Sequence, residues 1–423
     1  MKIAFIGSRG IPAKYGGFET FAEGLSTKLV KKGYDITVTC EYEPPESRFK
    51  DYKGVKLDYF PIKPPNNYFL RKFYENISDI YFLMKLSRNY DLIYFLGIEV
   101  GMFLFIPHIL NKALKLVVNI DGVMWDRTKF NKFERWLLKV NHIFATVFAD
   151  TIVADAEEMK KYVEPKYHQK TVFIPYGINV PLKIPWKEKN LEKLKNLRDQ
   201  FSSKINISDI TMYGAYISLK VQHEMNNKYL DLSPKEYWLL VARLEPENNI
   251  HTIVKAFSNS NAKYPLVIVG DFTDKAYKKE VYSLIKNYQN IYFLGGIYDI
   301  KLLDMLRQNC FAYFHGHTVG GTNPSLLEAM SMENVIVAHG NQFNKEVCGN
   351  TAIYFEDSII LKEKIELIEN NPRNYQKLKN EALYRVKNRY LWNKIVAEYD
   401  LLFKNELMDF IPPKREKSEN FSK

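Results

Sequence analysis

Short apolar runs alternate with helix-patterned segments along this chain, and this alternation constrains its fold more than any other feature. Such runs are typical of strands buried on both faces, and their alternation with helices predicts parallel sheets covered on both sides. The first half has predicted strands at 2–6, 35–39, 57–60, 92–96, 116–120, 151–154 and 172–174. The second half has them at 238–241, 266–269, 291–294, 311–314, 335–338 and 353–355. The predicted fold class is α/β, with two Rossmann-like, doubly wound domains.

Two domains also suit a chain of 423 residues of which 46% are hydrophobic. The predicted segments are a first domain at 1–177, a linker with a Lys/Asn-rich insert at 178–235, a second domain at 236–371, C-terminal helices that cross back to the first domain at 372–408, and a tail at 409–423. Leucines at 191, 194 and 197 predict a helix within the linker.

The composition indicates a cellular compartment and the classes of partner that the protein could bind. Three widely separated cysteines without metal-ligand spacing suit a reducing cytoplasm, and we expect no signal peptide before the strand at Lys2. The apolar stretch 92–110 contains Glu99 and Pro107, so it predicts a strand, a turn and a buried helix, with a membrane span as the less favoured alternative. The net charge of +11 favours phosphorylated substrates or an anionic membrane surface; no nucleic-acid motif is present.

The segment 320–330 predicts a helix N-terminus that faces an anionic ligand. Asn323 is a good N-cap, Pro324 suits the first helical position, and Gly320 and Gly321 let the backbone approach a ligand closely. The free N–H groups and the helix dipole favour phosphate there, and Glu328 lies one turn further on, where a carboxylate can bind ribose hydroxyls. An ordinary capped helix fits the same pattern.

Two further segments could bind anions. Gly16 and Gly17 open a predicted helix after the first strand, although the spacing is neither Gly-x-Gly-x-x-Gly nor a P-loop, and the glycines could simply shape a turn. Arg243 follows the strand 238–241, at the sheet edge where open α/β sheets bind ligands, and an arginine there can neutralise a diphosphate. An ion pair of Arg243 with Glu245 or Glu247 is the alternative.

Taken together, these segments resemble a known enzyme family. Gly-Gly-x-Glu at 16–19, Ala-Arg-Leu-Glu-Pro-Glu-Asn-Asn at 242–249 and Asn-Pro-Ser-Leu-Leu-Glu-Ala-Met at 323–330 are similar to retaining glycosyltransferases of family 4, which have the GT-B fold. Residues 7–20 and 315–325 resemble the rhamnosyltransferase-like branch, which serves bacterial capsule, lipopolysaccharide and cell-wall polysaccharide assembly. The resemblance covers nearly the whole chain except the insert and the tail.

The resemblance implies a role for each motif. Arg243 would hold the donor diphosphate and Glu328 the ribose, and with Asp121 they form the predicted catalytic set. The implied donor-binding residues are Gly16, Gly17, Arg243, Asn248, His317, Gly320, Gly321, Thr322, Asn323, Ser325, Leu326 and Glu328. The implied acceptor-side residues are Glu19, Trp125 and Arg127.

Three positions depart from the family pattern. Asn248 stands where a lysine is usual, Gly320 where a glutamate is usual, and Asp121 where many members have a histidine. These changes remove a positive charge from the diphosphate site and a contact to the donor sugar. His317, Thr322 or Asn323 could take over part of that contact.

The implied reaction transfers a sugar from a dTDP- or UDP-linked donor, first of all dTDP-rhamnose, with retention of configuration. Arg243 and the helix N-terminus would stabilise the leaving diphosphate, which would accept the proton of the acceptor. The acceptor would be a growing glycan or a polyprenyl-diphosphate-linked sugar. No Asp-x-Asp motif is present, so we predict no metal and no cofactor.

Membrane contact is a further prediction. Aromatic and apolar residues of segment 130–144 alternate with lysines and arginines at helical spacing, which is typical of a helix lying on an anionic bilayer. The protein would then be cytoplasmic and peripheral on the inner face of the cell membrane. Packing of the apolar face into the first domain is the alternative.

Two other functions remain open. A nucleotide-sugar epimerase can share the two-domain fold and would turn over without an acceptor. A non-catalytic nucleotide-sugar-binding scaffold would bind the donor without turnover, and the substitutions at Gly320 and Asn248 motivate it.

Overall fold

A computed structural model describes residues 1–13, 16–120, 122–127, 130–181, 207–213, 216–222, 229–285 and 290–408. Asp121, the helix predicted around 191–197 and the predicted tail at 409–423 lie outside these residues.

The first domain is built on an eight-stranded sheet in the order β3-β4-β2-β1-β5-β6-β7-β8. Its strands are β1 (Lys2–Ile6), β2 (Asp35–Cys40), β3 (Asp51–Tyr52), β4 (Val55–Tyr59), β5 (Leu92–Leu96), β6 (Lys115–Asn119), β7 (Thr151–Ala154) and β8 (Thr171–Phe173). Neighbouring strands are parallel except for the short edge pair β3 and β4, and Ile3 aligns with Ile36 on one side and Leu92 on the other. The strand order reverses at β1, which makes the β1/β5 junction a natural ligand crevice.

The helices that this half of the chain adds to the sheet include α1 (Gly17–Val30), α2 (Tyr68–Leu86), α3 (Ile106–Leu110) and α4 (Lys132–Phe148). Helix α1 begins after Gly16, whose φ of 119° favours glycine. It buries Phe21, Leu25 and Leu29 against the sheet, as their helical spacing requires.

Part of the segment predicted as a linker forms a small antiparallel sheet. Its strands are β9 (Ile207–Tyr213), β10 (Tyr216–Gln222) and β11 (Tyr229–Leu232), in the order β11-β10-β9. The sequence analysis predicted no strand in this segment.

The second domain has a six-stranded, fully parallel sheet in the order β14-β13-β12-β15-β16-β17. The strands are β12 (Trp238–Val241), β13 (Leu266–Val269), β14 (Ile291–Phe293), β15 (Ala312–His315), β16 (Val335–His339) and β17 (Ala352–Phe355). The helices that follow are α5 (Ile250–Ser258), α6 (Lys275–Ser283), α7 (Ile300–Asn309), α8 (Pro324–Ser331), α9 (Gln342–Cys348), α10 (Ser358–Asn370), α11 (Gln376–Arg389) and α12 (Trp392–Met408). The order reverses at β12, between β13 and β15. The predicted α/β class with two doubly wound domains is confirmed.

Helix α12 lies on the first domain although it follows the second in sequence. The Tyr399 hydroxyl lies 2.7 Å from that of Tyr94, and the Tyr34 hydroxyl donates to Asp400 at 2.6 Å. The segment that leaves the first domain lies beside the segment that returns to it. The Ile178 N–H donates to the Tyr390 carbonyl, and the Trp392 N–H donates to the Ile178 carbonyl. These contacts join the two ends of the chain to one core.

Helix α4 buries polar residues and leaves aromatic ones exposed. Its buried side includes Asn141, whose amide NH₂ donates to the Glu99 carbonyl and whose amide oxygen accepts from the Met102 N–H. A polar side chain is needed on this side because it satisfies backbone groups of the 97–104 loop. Phe133 and Trp136 keep 67% and 59% of their surface exposed. The alternative that the apolar face of this helix packs into the first domain therefore holds only in part: Phe133, Trp136 and Phe144 are exposed, whereas Phe130, Leu137 and Val140 are half-buried.

The segment 92–110 also differs in part from its prediction. Strand β5 is fully buried, but the short helix α3 is not, and Ile109 is 70% exposed. No helix among the described residues is both long and apolar enough to cross a bilayer.

Candidate functional site

The site lies at the carboxyl edge of the second sheet, where the strand order reverses. The loop after β12 (242–249) and the loop after β15 (316–323) meet there. Gly316 packs against the Asn248 carbonyl so closely that a Cβ atom at Gly316 would lie 2.1 Å from that oxygen, which explains the glycine. This is the edge where open α/β sheets bind ligands.

Arg243 is presented at this edge. Its side chain is 42% exposed, and its nearest carboxylate is that of Glu245, 3.9 Å from Nη2. At this distance and exposure the ion pair is weak, so the guanidinium is available for a ligand. The two alternatives from the sequence, a ligand contact and an ion pair with Glu245, are thus compatible.

Asn248 joins Arg243 to His317. The Asn248 amide donates to the Arg243 carbonyl at 2.7 Å, and its oxygen lies 2.7 Å from His317 Nδ1. Burial, followed by the charges of His315, Arg127 and Arg243, holds the pKa of His317 well below its ordinary value. The positive charges of two arginines, one from each domain, therefore act on a neutral His317 ring.

The loop before α8 contains the predicted N-cap. Asn323 Oδ1 accepts from the Ser325 N–H at 3.0 Å and from the Ser325 hydroxyl at 2.9 Å. Leu326 is fully buried beneath this turn, so it supports the site from below. The Ser325 amide, predicted to face an anion, is satisfied by the cap.

A carboxylate from the first domain reaches the same loop. Asp155 accepts from the Thr322 N–H at 3.0 Å, and its carbonyl accepts from the Thr322 hydroxyl. A Cβ atom at Gly321 would lie 1.8 Å from Asp155 Oδ1, so Gly321 is required by this contact. The sequence analysis missed Asp155, because nothing in residues 151–156 predicts where β7 ends relative to the second domain.

A second contact between the domains lies beside the first. Glu346 on α9 accepts from the Glu157 N–H at 2.7 Å and from the Glu158 N–H at 3.1 Å. Gly122 in turn packs against Gly320, with 3.1 Å between a Cβ atom at Gly122 and the Gly320 Cα. The two domains therefore touch directly across the cleft at this loop.

Glu328 is held by a partner that the sequence did not reveal. Arg307, only 4% exposed in its side chain, places Nη2 2.6 Å from Glu328 Oε2, whereas the Glu328 side chain is 35% exposed. Burial raises the pKa of Asp304, 3.8 Å from Arg307, to about 6, so Glu328 is the main counterion of the buried guanidinium. One Glu328 oxygen binds Arg307, and no bond from the other oxygen to a described residue is found.

The predicted residues of the first domain lie in two places. Glu19 is buried and accepts from the Arg9 N–H at 3.1 Å, beside Gly16, so it orders the glycine-rich loop. Gly17 has open space where a side chain would be. Trp125 packs against His142, with 4.5 Å between ring centroids, and is nearly buried. The acceptor-side roles of Glu19 and Trp125 stay predictions.

Comparisons with known proteins identify the family of the second half of the chain and the fold of the whole. Residues 222–384 match the family model of glycosyl transferases group 1, and residues 1–179 match a domain of unknown function (DUF1972). An uncharacterized glycosyltransferase, MJ1069 of Methanocaldococcus jannaschii, is 23% identical over 411 residues, which cover 92% of this chain and 94% of that protein.

Solved structures share the fold. Anabaena Alr3699/HepE in complex with UDP-glucose matches with a TM-score of 0.67 at 16% identity, covering 96% of this chain and 100% of that one. Sucrose-phosphate synthase from Thermosynechococcus elongatus matches with a TM-score of 0.70 at 14% identity, covering 96% and 99%. The chain therefore has the GT-B fold, with a group 1 glycosyltransferase domain in its second half.

Proposed function

We propose that this chain, whose second half is a group 1 glycosyltransferase domain on a GT-B fold, transfers a sugar from a nucleotide diphosphate to a glycan acceptor with retention of configuration. One observation carries the proposal. Arg243 and the 320–323 loop follow strands at the carboxyl edge of the second sheet, the loop contacts the first domain, and Glu328 lies on the helix that begins there.

The chemistry follows from these groups. Cleavage of the bond between sugar and phosphate builds negative charge on the leaving diphosphate, and the exposed Arg243 is preorganised to stabilise it. The acceptor hydroxyl attacks the anomeric carbon on the face that the diphosphate leaves, and a phosphate oxygen takes its proton. Neither step requires a protein nucleophile.

The donor proposed first is dTDP-rhamnose, with UDP-linked sugars as the next choice. The resemblance of residues 7–20 and 315–325 to rhamnosyltransferases supports the former, and the UDP-glucose complex of the Anabaena relative supports the latter. The acceptor would be a growing or polyprenyl-linked glycan in bacterial capsule, lipopolysaccharide or cell-wall polysaccharide synthesis.

A thermal-shift screen against dTDP, UDP, GDP and their sugar conjugates tests the donor. A ligand that binds only the native state raises the melting temperature by mass action. Stabilisation by one base class in the wild type, reduced in Arg243→Ala, supports the site. If none of these ligands changes the melting temperature, the assignment of the donor site is wrong. Binding without release of nucleotide in the presence of any acceptor would instead favour the scaffold function, and turnover without an acceptor the epimerase.

An exposed apolar surface on the first domain supports the proposal of a lipid-linked acceptor. It is formed by residues of α4, of α3 and of the position just before α3. We call it the aromatic surface, and its members are Phe105, Ile109, Phe133, Trp136, Ile143, Phe144 and Val147. Phe105 and Phe144 both contact Phe148, with 5.8 Å between ring centroids in each pair, so the two helices form one surface. Exposed Lys132 and Lys139 lie beside it on α4. Apolar area flanked by lysines suits an anionic bilayer.

Co-sedimentation with phosphatidylglycerol-containing vesicles tests this surface. The variant Phe133→Ser/Trp136→Ser is expected to lose most binding. The matched control Ile359→Ser/Tyr384→Ser removes similarly exposed apolar groups from the second domain and is expected to bind like the wild type. Equal binding by all three proteins would exclude the aromatic surface as the contact.

A further inference from the structure

The loop after β12 offers a diphosphate a single cation. Residues 242–249 include Arg243 but no other lysine or arginine, and the buried carboxylates of Glu245 and Glu247 lie in the same loop. Asn248 is committed to the Arg243 carbonyl and to His317. A diphosphate with two or more negative charges is therefore only partly neutralised from the second domain.

Arg127 approaches the same place from the first domain. The turn at Gly122, with φ of 35°, packs on Gly320, and a Cβ atom at Gly122 would lie 3.9 Å from Arg127 Nη2. The guanidinium therefore lies beside the contact between Gly122 and the loop 316–323. Arg127 Nε is buried, and no hydrogen-bond partner for it is found in the part of the chain that the structure describes.

The charges of Arg127 and Arg243 both act on the same histidine, His317. Both positive charges act on His317 and contribute, after burial, to the lowered pKa of its ring. Two guanidinium groups of like charge on one neutral ring repel each other, and no described carboxylate forms an ion pair with Arg127. An anion bound between them would relieve this repulsion and satisfy the buried Arg127 Nε.

We propose that Arg127 is a diphosphate-binding residue supplied by the first domain, so that the donor diphosphate bridges the two domains through Arg127 and Arg243. This inference rests on the proposed function and assigns to the donor a residue that the sequence placed on the acceptor side. Binding of the diphosphate then favours the closed arrangement of the domains, whereas a nucleoside with no phosphate does not.

Calorimetric titration of the full chain with UDP, dTDP, UMP and uridine tests the proposal. Arg127→Gln is expected to weaken diphosphate binding about tenfold or more, which is typical for the loss of one charge-assisted contact, and to leave uridine binding unchanged. Arg88→Gln is the matched control. It removes the same charge from an exposed position four residues before β5, at the opposite edge of the first sheet.

A second variant separates charge from loop packing. Asn248→Lys in the Arg127→Gln background returns a cation to the loop after β12 and is expected to recover most of the lost diphosphate affinity. A double variant no better than Arg127→Gln, or a single variant that binds UDP and dTDP like Arg88→Gln, overturns the proposal. If the wild type binds neither UDP nor dTDP, the proposed function itself is wrong. If the wild type binds them and Arg127→Gln binds them equally well, only the role of Arg127 is wrong.

Discussion

The two sheets present different polar side chains at the edges that face the cleft. The carboxyl edge of the first sheet is acidic: Glu19 and Glu41 follow its strands, and Glu75 on α2 pairs with Arg9 at 2.9 Å. The carboxyl edge of the second sheet has Arg243 and three histidines, at 315, 317 and 339. The same strand pattern builds both edges, so the loop residues decide which ligand each edge suits.

One buried group at each edge has a pKa shifted toward its uncharged form. Burial, then Glu99 and Glu75, raises the pKa of Asp79 on α2 well above its ordinary value. On the second edge, burial lowers the pKa of His315 to about 3. Both shifts favour the uncharged form, so the difference between the edges comes from the carboxylates of the first edge, which suit the hydroxyl groups of an acceptor sugar, and from Arg243 on the second edge, which suits a diphosphate.

The largest expected effect comes from Glu328→Ala, because Glu328 is the main counterion of the buried Arg307 guanidinium. Truncation leaves the Arg307 guanidinium without its main counterion, which costs about 2 to 4 kcal/mol of unfolding free energy, the lower figure reflecting the partly exposed Glu328. Urea unfolding measures this. Glu328→Ala/Arg307→Met should recover part of the loss; a single variant as stable as the wild type would show that Asp304 suffices as the counterion.

The next effect tests the comparison directly. Arg243→Ala on the second edge is expected to weaken UDP or dTDP binding about tenfold to hundredfold, with little loss of stability because the side chain is exposed. Arg9→Ala on the first edge serves as the control and should leave nucleotide affinity unchanged, since Arg9 is already paired with Glu75. Similar losses in both variants, measured by calorimetry, would mean that the two edges do not divide the ligands in this way.

The strands and the capped helix α8 were predictable because their determinants are local. Apolar runs such as 92–96 are buried on both faces, and Asn323 caps helix α8 by accepting from the Ser325 N–H, two residues away. The pairs Arg307 with Glu328 and Asp155 with Thr322 were not predictable. Their partners belong to different elements, and for Asp155 to different domains.

Helix α4 shows a second limit of sequence reasoning. Helical spacing predicts an apolar face, but not that Asn141 is needed inside to satisfy the backbone of the 97–104 loop. The polar side of the helix is therefore buried and the aromatic side exposed. Likewise, β9 to β11 form a separate antiparallel sheet, and their sequences lack the continuous apolar runs that predict the strands of the two parallel sheets.

A smaller effect is a pH dependence of opposite sign at the two edges. His315 has a folded pKa of about 3, below its unfolded value, so the unfolded state binds more protons and stability falls as pH drops below about 6.5. At about pH 5.5, one unit into this window, the loss is about 1.4 kcal/mol. The raised pKa of Asp79 has the opposite effect. Its contribution to the free energy of unfolding is present at low pH and is lost as pH rises above the ordinary carboxyl range.

The variants His315→Gln and Asp79→Asn separate the two contributions. Denaturant unfolding at several pH values should give a shallower decline below pH about 6.5 in the first variant and a shallower decline with rising pH in the second. Parallel pH profiles for both variants and the wild type would contradict the assignment.

The smallest expected effect concerns the contact that joins the two edges. The Asp155 carboxylate holds the Thr322 N–H, the amide that the sequence assigned to the donor, so Asp155→Ala frees this amide and should raise UDP or dTDP affinity about threefold. Glu346→Gln is the control, because Glu346 also joins the domains but bonds the Glu157 and Glu158 amides instead of the 320–323 loop. An increase in Asp155→Ala alone means that the carboxylate competes with the donor. Weaker binding in both variants would mean that the donor site depends on the domains being held together, and the acidic first edge would then assist donor binding instead of opposing it.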